Sequence, residues 1–288
     1  MESILQSLGI PYTLLTQNFV ADLLRSRKPF SHKGTYGHAL LVAGNSGKMG
    51  AALLAAKAAL RTGAGLLTVA VPAKEAPVIH IGLPEAMVVY RDAVLPDLNR
   101  FDATGIGPGI GTELQTQQQI GKLIRQSNRP LVLDADALNI VSMNRDLLQE
   151  LPEETVLTPH PKEFDRIFGS SETDFERWQK AISASQLYNC VVLVKGHFTL
   201  IASAGKAWFN TTGNAGLAKG GSGDVLTGMI TALLAQGYSA EAATQLGVYL
   251  HGTAADIALE NQSQESMLPT DLIQAIGKAF QQLHAINQ

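Results

Sequence analysis

The sequence predicts an α/β fold: a mostly parallel central sheet with helices on both faces and an antiparallel edge. Three observations carry that expectation. From Ala39 to Phe164, short apolar runs alternate with glycine-broken loops and helical patterns, as βαβ crossovers require. Within that alternation Leu131-Val132-Leu133 is unbroken apolar sequence, which fits a central parallel strand buried on both faces. Beyond it, Val191 to Asn210 reads as three strands joined by tight turns, so crossovers give way to hairpins.

Taken in order, Ile4, Leu8, Leu14, Leu15, Phe19, Leu23 and Leu24 fall at loosely helical spacing, with Thr16 able to cap a helix over Phe19 to Leu24. Residues 1–30 read as a covering arm. The polar, glycine-broken stretch Ser31-His32-Lys33-Gly34-Thr35-Tyr36-Gly37-His38 then feeds a strand over Ala39 to Ala43. It suits ligand contact, and equally a solvated loop. Gly44 to Gly50 leads into a helix from Ala51 to Thr62, a strand–glycine loop–helix unit that matches neither the P-loop nor the dinucleotide fingerprint. Strands follow over Leu66 to Val71, Ala86 to Tyr90 and Asp102 to Ile106, then Gly107-Pro108-Gly109 and a helix from Thr112 to Gln126.

Asp134 and Asp136 stand at the carboxyl end of the central strand, the edge at which open α/β sheets bind ligands. Asp136 can instead cap the helix that follows. A strand over Thr155 to Thr158 ends in Pro159-His160-Pro161, whose prolines hold the backbone extended and present His160 at a strand end. A loop histidine without partners is as readily incidental. Helices are expected over Phe175 to Leu187, Asp224 to Gln236, Ala240 to Leu259 and Pro269 to His284, and the Ala, Leu and Ile stripes of the last three read as core. No repeat, low-complexity segment or linker interrupts residues 1–288, which read as one domain.

The stretch Asn210 to Gly228 is the most informative. Gly220, Gly221 and Gly223 can adopt positive φ and approach a ligand, and the helix that starts there exposes unpartnered N–H groups and partial positive charge to an anion. Asp224, in its first turn, can cap the helix or take a proton from a hydroxyl beside a bound phosphate.

Composition narrows the function. The 288 residues are 45% hydrophobic and 16% charged, with a net charge of −3 and no basic run, so nothing favours nucleic acid. No run approaches the ~18 apolar residues of a membrane span, and Met1 to Ile10 lacks the pattern of a signal peptide. The single cysteine, Cys190, sits in an apolar run as a small hydrophobe and suits a reducing compartment, so a cytoplasmic location is expected.

Six motifs occur in order: Ser-His-Lys-Gly-Thr-Tyr-Gly-His (31–38), Gly-Pro-Gly (107–109), Leu-Asp-Ala-Asp-Ala-Leu-Asn (133–139), Leu-Thr-Pro-His-Pro-Lys-Glu-Phe (157–164), Lys-Gly-His-Phe-Thr (195–199) and Gly-Asn-Ala-Gly-Leu-Ala-Lys-Gly-Gly-Ser-Gly-Asp-Val-Leu (213–226). With Gly221-Ser222-Gly223-Asp224 as the anion-hole turn, the chain resembles the ribokinase-like superfamily and, within it, the ADP/ATP-dependent NAD(P)H-hydrate dehydratases. The resemblance implies a ribokinase-like three-layer sandwich. It implies a lyase that repairs NADH and NADPH hydrated on the nicotinamide ring, with ADP or ATP as co-substrate and Mg²⁺ as cofactor. Asp224 is then the base that activates the 6-hydroxyl, with the amides of Gly221, Ser222 and Gly223 facing the phosphate. Lys195, Gly196, His197, Phe198, Thr199 and Gly223 resemble the nucleotide contacts. Gly50, Ala51, Gly109, His160 and Asp224 resemble contacts to the hydrated dinucleotide, with Lys33, Tyr36 and Asn214 lining the same cleft. Glu163 lies near the acidic position that organises Mg²⁺ through water in related kinases.

Many family members carry an amino-terminal epimerase domain for which this chain has no room, so a separate NAD(P)HX epimerase is expected. Apolar helix faces near both termini suggest a homo-oligomer. The alternative function is a small-molecule kinase of the same fold, acting on a hydroxymethyl or hydroxyethyl heterocycle or a sugar.

Overall fold

The computed structural model describes residues 12–93 and 95–286. The expected apolar positions Ile4 and Leu8 lie outside the described residues. Ten strands form one sheet: β1 Tyr12–Leu14, β2 His38–Val42, β3 Leu66–Val71, β4 Met87–Tyr90, β5 Ala103–Ile106, β6 Leu131–Leu133, β7 Val156–Leu157, β8 Val191–Val194, β9 Thr199–Ser203 and β10 Lys206–Asn210. Their order across the sheet is β1-β10-β9-β8-β7-β6-β5-β2-β3-β4. Pairing is parallel from β8 through β4 and antiparallel where β9 joins β8 and β10. The arm differs from a purely helical cover. Tyr12–Leu14 runs parallel to β10, with Thr13 opposite Trp208, so the arm protects the sheet edge by extending it.

The helices are α1 Gln17–Leu23, α2 Met49–Arg61, α3 Ala76–Gly82, α4 Leu114–Gln126, α5 Asp136–Met143, α6 Pro161–Phe168, α7 Asp174–Leu187, α8 Ser222–Ala235, α9 Ala240–Ala258 and α10 Pro269–His284. Thr16 caps α1 through its hydroxyl, which accepts from Phe19 N at 3.2 Å. Two apolar clusters lie on opposite faces of the sheet. One joins alternate strand residues such as Leu41 and Val69 to α2, α3, α8, α9 and α10, and the other joins Leu40 and Val42 to α4, α5, α6 and α7.

Helix α8 is the buried axis of the first layer. Every residue from Val225 to Ala235 is buried, which accounts for its apolar character on all sides. It crosses α2 so closely that a Cβ at Gly228 would overlap the Ala55 carbonyl. Its amino end therefore has a fixed place relative to the amino end of α2.

Candidate functional site

The carboxyl ends of β2, β5, β6, β7 and β8 converge with the amino ends of α2, α5, α6 and α8, the crevice in which open α/β sheets bind ligands. The glycine turn sits at its centre. Gly221 is the N-cap of α8 at φ 100°, ψ −22°, and a Cβ there would lie 2.7 Å from Leu54 Cδ1 and 3.0 Å from Pro269 Cγ. Backbone conformation and crowding both demand glycine. Lys219 pins the turn from behind by donating to the Met267 carbonyl at 2.8 Å and to the Glu265 carbonyl. No side chain caps α8; the Ser222 N–H reaches the Lys219 carbonyl at 3.4 Å, and the N–H groups of Gly223 and Asp224 remain available to a ligand.

Asp224 lies in the first turn of α8 but does not cap it, and among the described residues its carboxylate has no hydrogen-bond partner. Its pKa is pushed up to about 6, first by burial and then by the Asp134 charge, with Lys195 opposing. Asp134 is 2% exposed and fully engaged: Lys195 Nζ approaches one oxygen at 2.7 Å, and the Thr227 hydroxyl donates to the other at 2.7 Å. Gly223 brings the helix start against this pair, since a Cβ there would be 3.5 Å from Lys195 Nζ and 3.7 Å from Asp134 Oδ2. An unpaired carboxylate, a lysine and the amides that start α8 thus share one small space.

His160 is the N-cap of α6, built as a capping box with Glu163. Its Nδ1 accepts from Lys162 N at 3.1 Å and Glu163 N at 3.3 Å, while Glu163 Oε2 accepts from His160 N at 2.9 Å. Burial and the nearby Lys195 and Arg166 charges lower the His160 pKa, so the neutral ring has Nδ1 as acceptor and Nε2–H as donor, 3.4 Å from Glu163 Oε1. The capping bonds therefore hold the imidazole in one orientation. Glu163 is buried, with its pKa raised mainly by that burial.

Across the crevice, Gly109 at φ 65° packs against the start of α2, where a Cβ would lie 3.3 Å from that of Ala51 and 3.0 Å from that of Lys48. This brings Gly109, Ala51 and the exposed Gly50 together. Asp136 does not cap α5. The N-cap is Ala135 at φ 49°, and the Asp136 carboxylate instead accepts from Gly111 N at 2.9 Å and lies 3.6 Å from Lys48 Nζ. Sequence reading missed Arg91, which is buried and donates to the Ala43 carbonyl at 2.9 Å and the Gly44 carbonyl at 2.5 Å, holding the loop before α2.

A cavity of about 410 Å³ opens beside Gly223, lined by Lys195, Gly196, His197, Thr199 and Asn214 among others. Phe198 is not on that lining; it packs against the cluster of Leu40 and Val42, and its ring meets that of His197 edge-on with centroids 4.4 Å apart. Asn214 lies on the side of Lys195, where it caps a short 3₁₀ turn and donates to Asp256 at 2.9 Å.

Lys33 and Tyr36 do not line this cleft. They form a 3₁₀ turn before β2, at the amino edge of the parallel strands, where the Tyr36 carbonyl accepts from Gly65 N just before β3. Tyr36 faces a different cavity, of about 530 Å³, with Arg25, Arg27, Lys28 and Arg61. The length of β2 separates the two ends. Because the motif directly precedes β2, chain direction already assigns it to the amino edge of the parallel strands, away from the carboxyl-edge crevice.

Among the described residues, no three His, Cys, Asp or Glu side chains converge to cage a metal ion. The oxygen donors present suit Mg²⁺ carried on phosphates and held through water, with carboxylates nearby.

The fold and this turn define a ribokinase-like α/β protein. Hydroxyethylthiazole kinase from Pyrococcus horikoshii has the same fold at 17% identity and a TM-score of 0.63. At the level of family, residues 39–278 match the model described as NAD(P)H-hydrate dehydratase, and the chain belongs to that family. It is 37% identical to the ADP-dependent (S)-NAD(P)H-hydrate dehydratase of Neisseria meningitidis serogroup B over 83% of each chain. It is 38% identical to the bifunctional NAD(P)H-hydrate repair enzyme Nnr of Moorella thermoacetica, with 92% of this chain and 55% of that protein covered. The chain spans about half the length of several such bifunctional relatives. The crystal structure of the Bacillus subtilis ADP/ATP-dependent NAD(P)H-hydrate dehydratase, co-crystallised with ATP/Mg²⁺, superposes with a TM-score of 0.85 at 34% identity, covering 94% of this chain and 98% of that one.

Proposed function

We propose that this chain dehydrates (6S)-NAD(P)HX to NAD(P)H at the expense of ADP or ATP. The observation that carries the reading is Asp224: a half-buried carboxylate without a hydrogen-bond partner, its pKa pushed up to about 6, in the first turn of a helix whose amides are uncapped. A base needs a free lone pair and a pKa near the working pH, and both conditions are met. As Asp224 accepts the proton of the 6-hydroxyl, that oxygen bonds to the terminal phosphorus of the nucleotide and the bond to the leaving nucleotide breaks. The amides of Gly221, Ser222 and Gly223, with Lys195, stabilise the charge on the phosphoryl oxygens. The ring nitrogen then expels phosphate from C6, and loss of a proton from C5 restores the dihydropyridine.

The nucleotide occupies the cavity beside Lys195, Gly196, His197 and Thr199, which brings its terminal phosphate to Gly223. The hydrated dinucleotide lies on the other side of the turn, against Gly50, Ala51, Gly109 and His160, whose Nε2–H suits a carbonyl or phosphate oxygen. When bound, Mg²⁺ would supply countercharge on the phosphates, with Glu163 holding it through water. Residues 12–286 act as one catalytic domain on their single sheet. An epimerase activity supplies the reactive epimer. The exposed apolar side chains of Phe30 and Ile81 support a homo-oligomer, and the lone buried Cys190 supports a cytoplasmic location. Incubating the protein with NADHX, Mg²⁺ and either nucleotide, and following the ultraviolet absorbance of the reduced ring, tests the function directly. Absence of NADH with both nucleotides would sink it.

A further inference from the structure

Helix α9 was legible in sequence only as an apolar stripe, yet it carries a buried imidazole into the site. His251 is 6% exposed, lines the nucleotide cavity, and places Nε2 2.9 Å from the carbonyl oxygen of Ser222, the first residue of α8. A carbonyl only accepts, so Nε2–H is the donor. Burial lowers the His251 pKa to about 4, which keeps the ring neutral.

The Ser222 carbonyl belongs to the same peptide unit as the Gly223 N–H. Because that unit is planar and trans, fixing the direction of its carbonyl fixes the N–H on the opposite side, and a hydrogen bond at the oxygen makes the N–H a stronger donor. At Gly223 this bond adds to the hold of the helix itself, on a residue with no side chain that stands beside Lys195 and Asp134. The neighbouring step of α9 is anchored independently. A Cβ at Gly252 would overlap Thr212, and the Thr212 hydroxyl donates to the Tyr249 carbonyl at 3.1 Å, so α9 also fixes the loop that walls the nucleotide cavity.

We propose that His251 is a positioning residue for phosphoryl transfer, orienting and polarising the Ser222–Gly223 peptide so that the Gly223 N–H faces the transferring group. This rests on the anion-binding role proposed for Gly221 to Gly223. It separates the ends of one reaction step: Asp224 handles the proton, and His251 tunes the amide that receives charge.

Three variants test it. His251→Phe keeps a ring but has no donor, His251→Ala removes both, and His251→Gln presents an amide N–H near the position of Nε2. The donor-less variants are expected to lower kcat by about 10- to 100-fold, the range of losing one weakened oxyanion donor, with nucleotide KM within about threefold. His251→Gln recovers most of that loss. A binding measurement independent of the dinucleotide accompanies the kinetics: in calorimetry with the leaving nucleotide, AMP for transfer from ADP and ADP for transfer from ATP, and then with the same nucleotide plus orthovanadate, His251→Phe binds the nucleotide as the unaltered protein does but captures vanadate about tenfold more weakly. The proposal is overturned if His251→Phe keeps kcat and vanadate capture, if the loss falls on nucleotide KM alone, or if His251→Gln does no better than Phe. An unaltered protein that captures vanadate but makes no NADH refutes the dehydratase reading, and the vanadate comparison still decides the role of His251.

Discussion

Asp224 is costly to the fold. Its carboxyl is neutral in both folded and unfolded chains below pH 3.8, but between there and its folded pKa of about 6 only the unfolded chain releases the proton. Above that range the folded protein carries a buried charge that favours unfolding. Asp224→Asn is therefore expected to stabilise the protein at pH 7 to 8 by about 1 to 2 kcal/mol, after allowance for partial solvation, with the gain fading below about pH 4. Chemical denaturation at both pH values checks this, and equal stability would show that the carboxylate is not strained. The same titration gives turnover an acid limb centred near pH 6, because only the ionised form accepts a proton.

At the scale of elements, the site depends on the crossing of α2 and α8. One contributes Gly50 and Ala51, the other Gly221 to Asp224, and their contact at Gly228 against the Ala55 carbonyl leaves no room for a methyl group. Gly228→Ala is expected to force the helices apart and cost about 1 to 3 kcal/mol, lowering kcat although no ligand touches residue 228. A thermal melt with wild-type midpoint and undiminished kcat would show the crossing to be slack. This contact was invisible in sequence, where Gly228 reads only as a tolerated helix glycine. The positions of most strands, by contrast, were legible within a residue or two, because unbroken apolar runs such as Leu131 to Leu133 and Val191 to Val194 admit little else.

Across the whole molecule, the two ends of the sheet divide the signature motifs. Those that follow strands, at Gly109, Asp134, His160 and Lys195, meet at the carboxyl edge, where parallel topology gathers residues distant in sequence. The motif before β2 is carried to the other edge, and its residues do structural work there: Tyr36 donates to Ser31 at 2.8 Å and stacks under Arg27, 3.8 Å from its ring centroid. Tyr36→Phe is expected to leave kcat and both KM values within about twofold while costing about 1 kcal/mol of stability. A large rise in dinucleotide KM would return Tyr36 to the cleft. The glycine turn and Asp224 were legible because helix-start chemistry is local. His251 and Arg91 were not, since each acts on a backbone carbonyl far along the chain and looks like core in its own helix or strand end.

The most direct test of the proposed chemistry compares the unaltered protein with Asp224→Asn under saturating NADHX, nucleotide and Mg²⁺, alongside nucleotide affinity. Loss of the base is expected to lower the rate of NADH formation by about 10²- to 10⁴-fold, or about 3 to 5 kcal/mol of barrier, with nucleotide binding retained. An Asp224→Asn protein that regenerates NADH at the unaltered rate would contradict it.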